Sequence, residues 1–370
     1  MWLSDVKLIL ADRIIENGAL RIENGMLVEI TESQGQPSGF TVFPGFIDMH
    51  GDMIEIELEP RPKVDFPMDV AVGHLDARLA AAGVTTAYAG VSFSRTAVDG
   101  QRRSFDHTSG IIRALKQNIQ GLRVDHRIHA RFDITYTAAI DALDGLLTAG
   151  YVDLVSVMDH TPGQGQYRNV ETLVANRMKS GLSEEDARVH VERRIKDAIP
   201  DEQILENLQR ISTLCKSHGV AMASHDDHTV EKSNLMADIG TVISEFPVTR
   251  EAAVVAKKRG SMIAMGAPNA MRGQSYSGNL SARDAHAEGL LHILTADYHP
   301  AAILPAIRAL STSDPDGLAG AVRLASANPA KALGLKDRGV IAEGKRADLA
   351  IVDSSERIVQ TYSAGKIIFS

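Results

Sequence analysis

Apolar and polar positions alternate through the first 32 residues, as in Val6-Lys7-Leu8-Ile9-Leu10 and Ala19-Leu20-Arg21-Ile22. That is the period of strands with one buried face. Glu16-Asn17-Gly18 and Glu23-Asn24-Gly25 are expected to form the turns between them. The C-terminal end has the same texture, in Ala347-Asp348-Leu349-Ala350-Ile351-Val352 and Lys366-Ile367-Ile368-Phe369. Both ends together predict one small β-sandwich domain, residues 1–43 with 338–370.

From 44 to 337 the pattern changes to short apolar runs separated by helical stretches. Eight strand candidates fall near 42–49, 84–92, 127–134, 153–159, 220–225, 240–245, 261–266 and 292–297. A helical pattern from Val72 to Ala82 stops at Gly83, a good C-terminal signal. Eight βα repeats predict an α/β fold of the (β/α)8, TIM-like barrel type. A doubly wound sheet fits less well, because no Gly-rich dinucleotide turn follows an early strand. The connection from about 161 to 219 is too long for a loop and one helix. It contains a helix start at Ser183-Glu184-Glu185-Asp186 and predicts an inserted helical cap over the barrel mouth.

Composition narrows the possibilities. The 370 residues suit a large barrel with a minor domain. A net charge of −8 argues against a general nucleic-acid binder, which needs a basic face. The single Cys215 cannot form an internal disulfide, and no secretion signal or membrane-length apolar run is evident. A cytoplasmic enzyme without a membrane partner is expected, and a homo-oligomer on general grounds for such barrels.

Barrel chemistry sits at the C-terminal strand ends. His50 and Asp52 follow the first strand two residues apart and so point the same way. His129, Arg131 and Asp133 share one face of the third strand, a costly grouping unless paired or functional. His160 follows the fourth strand, His225 the fifth and Asp297 the eighth. A lone histidine is more often structural, but imidazoles and carboxylates recurring at five strand ends favour a divalent-metal site. After the seventh strand come Met265-Gly266-Ala267-Pro268-Asn269, Arg272, Ser277 and Asn279, in a position where barrels often hold phosphate. Arg61, Lys63, Arg131 and Arg168 are further candidates for neutralising an anionic substrate.

These residues carry a family resemblance. Pro44-Gly45-Phe46-Ile47-Asp48-Met49-His50 and Gly339-Val340-Ile341-Ala342-Glu343-Gly344-Lys345-Arg346-Ala347-Asp348-Leu349 resemble the amidohydrolase superfamily. Glu59-Pro60-Arg61-Pro62-Lys63-Val64-Asp65, Met158-Asp159-His160-Thr161-Pro162-Gly163-Gln164, Ala223-Ser224-His225-Asp226-Asp227, Glu245-Phe246-Pro247 and Asp297-Tyr298 resemble the PhnM family within it. These are the diphosphatases of the carbon–phosphorus lyase pathway. The resemblance implies hydrolysis of an α-D-ribose 1-alkylphosphonate 5-triphosphate to the 5-phosphate and pyrophosphate. It implies one or two divalent metals per subunit, zinc being expected, with His50, Asp52, Asp133, His160, His225 and Asp297 as ligands. Asp133 would bridge, and Asp297 would also serve as general base. Arg61, Arg131, Asn269, Arg272, Ser277 and Asn279 would bind the small phosphorylated substrate. The chain departs from the family pattern at Gly51 (usually Thr), Asp133 (usually Glu) and Ala296 (usually Ser). Hydrolysis of a C–N bond, as in deacetylases and cyclic amidases on the same scaffold, is the competing reading.

Overall fold

Four strands open the chain: β1 (Trp2–Ile9), β2 (Ile14–Glu23), β3 (Met26–Glu32) and β4 (Thr41–Pro44). The structure is a computed structural model and describes all residues except 62–63, 95–104, 119–120, 180 and 276–277. Asn24 and Gly25 form the expected turn, with φ of 50° and 80°, matching the positive values a two-residue hairpin requires. Glu16-Asn17-Gly18 is not a turn. β2 runs straight through it, and Gly18 pairs with both Val6 and Glu32. A Cβ on Gly18 would lie 2.7 Å from Leu8 Cδ1, so this glycine permits close packing rather than reversal. The chain reverses earlier, where the Leu10 N–H donates to the Arg13 carbonyl at 2.9 Å.

Eight strands follow in the middle: β5 (Phe46–Gly51), β6 (Val84–Phe93), β7 (Asp125–Asp133), β8 (Leu154–Met158), β9 (Ala221–His225), β10 (Ile243–Glu245), β11 (Met262–Gly266) and β12 (Ile293–Thr295). Each pairs in parallel with the next. Asp297 closes the ring: its N–H donates to the His50 carbonyl at 2.9 Å, and its carbonyl accepts from the Asp52 N–H at 2.8 Å. The buried Asp48 carboxylate ties the same seam, accepting from the Ala296 N–H at 2.8 Å. The result is a (β/α)8 barrel. Met49, Tyr88, Leu154, Ala223, Ile243, Ala264 and Ile293 pack together inside it. Outward residues such as Ile128, Phe132, Val155 and Ile263 join Leu75, Leu143, Ile211 and Ile307 of the surrounding helices. Each fully buried aliphatic or aromatic side chain there contributes roughly 1.5–3 kcal/mol relative to exposure.

The last strands, β13 (Leu349–Val352), β14 (Ile358–Ser363) and β15 (Lys366–Phe369), return to the first sheet. Its order is β15-β14-β13-β4-β1-β2-β3. The single apolar run expected at 42–49 therefore serves two sheets, with β4 in this one and β5 in the barrel. They break at Gly45, where a Cβ would lie 2.4 Å from Thr85 Oγ1.

The long connection after β8 resolves into three helices. Asp201–His218 is an ordinary barrel helix, its Leu208, Ile211 and Cys215 belonging to the main core. Val170–Lys179 and Glu184–Lys196 make a small core of their own from Leu173, Val174, Ala187 and Val191. Ser183 caps the second of these, accepting from the Asp186 N–H at 3.0 Å. Among the described residues no helix is long and apolar enough to cross a membrane.

Candidate active site

Inward side chains near the C-terminal strand ends change from apolar to charged. His50 comes from β5, His129 and Arg131 from β7, His225 from β9, and Glu245 from β10. Asp52, Asp226 and Asp297 lie just beyond their strands. The ladder places His225 beside Glu245. His50 Nδ1 lies 3.3 Å from Glu245 Oε2, and His129 Nε2 lies 3.6 Å from Glu245 Oε1. One ligand atom from each of His50, His129 and Glu245 falls within 4.8 Å of the others. Asp52 approaches His50 Nε2 at 3.4 Å from the other side and also pairs with Arg131. Gly90 makes room for that pair, since a Cβ there would lie 3.1 Å from both Asp52 Oδ1 and Arg131 Cδ.

Several buried polar atoms here have no hydrogen-bond partner among the described residues: Nδ1 of His50, His129 and His225, and both oxygens of Glu245. Buried polar groups are nearly always satisfied, so a convergent set of imidazole nitrogens and carboxylate oxygens fits a divalent cation. The electrostatics agree. Burial opposes a charge on His50, but Glu245 and Asp52 outweigh it and push the imidazole up to about 10. The pocket therefore favours positive charge at this point. Burial, with His50 and Arg131 close by, drives His129 down to about 3, leaving it as the neutral imidazole that ligates metals. Burial alone would raise Glu245, but His129 and His50 hold it down at about 2.

Backbone conformation at the rim is also unusual. Asp226 and Phe246 immediately follow β9 and β10, and Asp297 lies two residues past β12, with φ of 56°, 50° and 57°. Left-handed backbone in three non-glycine residues is costly, and such strain gathers at functional sites. Gly266 leaves space for Asp297, since a Cβ on it would lie 2.9 Å from Asp297 Oδ2. Gly266→Ala is expected to displace that carboxylate and lower kcat by about tenfold or more, as small misplacements near the chemistry do. Steady-state kinetics on the folded variant checks this, and unchanged kcat would show that the carboxylate position is not critical.

Above the charged floor opens a cavity of about 440 Å³ lined by His50, Asp52, Arg131, His225, Asp226 and Asp297, and by residues after β11. Asn269, Arg272 and Asn279 stand on that wall. Arg272 donates to the Tyr298 hydroxyl at 2.9 Å. Asn269 spends its carbonyl oxygen on the Ala282 N–H, at 3.0 Å. The residues singled out from sequence thus divide. His50, Asp52, His225, Asp297, Arg131, Asn269, Arg272 and Asn279 share this cavity. Asp133 and His160 line a second one. Arg61 is exposed and bridges to Val64, and Lys63 and Ser277 fall outside the described residues. His129 and Glu245 enter the site without having been assigned to it. Glu245 offered a signal: a carboxylate at the end of the short strand candidate that holds Val242 and Ile243 is costly to bury unless it is used.

The Amidohydrolase family model matches residues 76–368, and the chain belongs to that family. It is 35% identical over 382 aligned residues to the Escherichia coli (strain K12) alpha-D-ribose 1-methylphosphonate 5-triphosphate diphosphatase, with all of both chains covered. Among solved structures it is similar to the 5-methylcytosine deaminase of Klebsiella pneumoniae liganded with 5-fluorocytosine. The TM-score is 0.68 at 16% identity, covering 100% of this chain and 97% of that one. It is also similar to the N-acetyl-D-glucosamine-6-phosphate deacetylase of Mycobacterium smegmatis, with a TM-score of 0.64, 18% identity and 99% of each chain covered. The protein is accordingly a hydrolase of a metal-dependent superfamily.

Proposed function

We propose that this chain hydrolyses the triphosphate of a ribose 1-alkylphosphonate 5-triphosphate, releasing pyrophosphate and leaving the 5-phosphate. The observation that carries the reading is one cavity with metal-ligating groups on its floor and Arg131, Arg272 and polar amides around it. The full-length likeness to a diphosphatase of that substrate class supports it. His50, His129 and Glu245 would hold the cation, with Asp52, His225 and Asp297 close around them. A divalent cation held there supplies the charge that acidifies a bound water.

The protein's own groups account for the remaining steps. Asp297 takes a proton from the attacking water; burial has pushed its carboxyl up to about 6, closer to neutrality than an ordinary aspartate. The water oxygen bonds to the α phosphorus of the triphosphate. The bridging P–O bond between the α and β groups breaks, and its electron pair departs with pyrophosphate. Arg272 and Arg131 offset charge gathering on the phosphoryl oxygens. Asp52 holds Arg131 in place.

Phosphorus NMR of the metal-loaded protein with ribose 1-methylphosphonate 5-triphosphate tests the assignment. Pyrophosphate resonances should grow as the triphosphate signals fall, and an unchanged spectrum from folded, metal-loaded protein would refute it. Arg272→Ala should raise KM for the triphosphate by about tenfold, the loss of one charge-assisted contact of roughly 1.5–3 kcal/mol. Equal KM values for variant and parent would remove Arg272 from the phosphate grip.

A further inference from the structure

Arg168, a candidate from the sequence that the proposed chemistry leaves unused, follows the short turn Gly165–Tyr167 after β8. That turn is fastened to the barrel beside the active site. The Gly165 N–H donates to His228 Nδ1 at 3.2 Å. A Cβ on Gly165 would lie 3.3 Å from the Cβ of Asp226, which lines the active-site cavity. Burial, with Lys232 and Arg168 nearby, holds His228 below the ordinary imidazole value, so the ring accepts that bond in its neutral form.

From this turn the Arg168 guanidinium reaches across the barrel mouth. It donates to Asn279 Oδ1 at 3.1 Å, and Asn279 lines the cavity that holds Asp297. The two residues come from the segments after β8 and β11, which stand three strands apart in the ring of eight. The contact therefore spans the opening rather than running along one rim. Arg168 is exposed, which leaves it open to a substrate entering from solvent.

Its partner keeps this arginine available. Arg188, in the same insertion, is committed to Glu171 and Glu184. Arg168 pairs with no carboxylate among the described residues and rests on a neutral amide. The acids nearest the turn are engaged elsewhere: Asp226 lies 3.1 Å from His225 Nδ1, and Asp159 accepts from the Thr161 N–H at 3.0 Å. A guanidinium binds a phosphoryl oxygen about twice as strongly as a neutral acceptor, so an incoming phosphate displaces the amide. Arg272 is held in the same way, by the Tyr298 hydroxyl, whereas Arg131 on the floor is paired with Asp52.

Resting on the diphosphatase reading above, we propose that Arg168 is the contact for the terminal phosphoryl group of the substrate's triphosphate, exchanging the Asn279 amide for a phosphoryl oxygen when substrate binds. The α phosphorus is attacked on the floor beside Asp297. The γ group is the end of the phosphate chain farthest from that centre, and it meets Arg168 at the mouth. The residue thus reads the length of the chain, favouring a triphosphate over a diphosphate, and its grip passes to the pyrophosphate that leaves.

Titration calorimetry of the metal-loaded, full-length protein tests this with two non-hydrolysable probes. One is the α,β-methylene analogue of ribose 1-methylphosphonate 5-triphosphate, and the other is the corresponding 5-diphosphate, which lacks the γ group. The parent should bind the triphosphate analogue at least about tenfold more tightly, equivalent to about 1.4 kcal/mol. Arg168→Ala should weaken the triphosphate analogue by about tenfold and leave the diphosphate analogue within about twofold. Arg188→Ala, which removes an equal charge from the same insertion, should change neither affinity. An equal loss for both analogues would put Arg168 on the phosphonate or the shared phosphates and overturn the inference, as would no loss for either. A parent that binds neither analogue, or both equally, overturns it too. Phosphorus NMR follows turnover separately, so a chain that shows this preference without releasing pyrophosphate fails the diphosphatase reading alone.

Discussion

Asp297→Asn should lower kcat by about 10²- to 10⁴-fold, the range spanned by positioned acid–base groups, while the barrel stays folded. The side chains have nearly equal volume, and the bonds closing the barrel seam at residue 297 come from its backbone N–H and carbonyl. Asparagine also tolerates the φ of 57° better than most residues. The substitution therefore removes a proton acceptor from the pocket and little else. Circular dichroism and metal content should match the parent, and phosphorus NMR should show pyrophosphate formation nearly abolished. Activity within tenfold of the parent would assign proton removal to another group, and Asp226, in the same cavity, would be the next to test.

Much of this architecture was legible in the chain because barrel strands announce themselves twice, by an apolar run and by the helical pattern that follows. All eight candidates correspond to strands, and the misreadings sit where one local signal had two causes. Asn17-Gly18 has turn chemistry, yet glycine there answers a packing demand from Leu8. The run at 42–49 is uniformly apolar because both of its halves are buried, so hydropathy could not show that it changes sheets. For the site, period two put His129, Arg131 and Asp133 on one face. It could not show how far along that face the chemistry extends. Two residues along a strand is about 7 Å, enough to move Asp133 from the cavity above His50 into the neighbouring one. The reach of the inserted helices, which wall off that neighbour, has no periodic signature at all.

The distinction between the two carboxylates can be measured. Glu245→Gln should reduce metal affinity by on the order of 10²-fold or more, since even partners one layer outside a metal cost 10–100-fold when lost. Glu245 is fully buried between His50 and His129, and no other carboxylate touches both imidazoles among the described residues. The amide keeps the volume and removes the charge that offsets a buried cation, so the unpaired cation bears the desolvation cost. Asp133→Asn should leave metal content near that of the parent, because Asp133 is occupied with Thr135 at the wall of the second cavity. Plasma emission analysis of both variants after gel filtration, with thermal unfolding to confirm folding, separates the outcomes. Loss of metal from Asp133→Asn with full retention in Glu245→Gln would transfer the metal to the ligand set implied by family resemblance. The reverse places it between β5, β7 and β10, where His50, His129 and Glu245 each offer a ligand atom within 4.8 Å of the others.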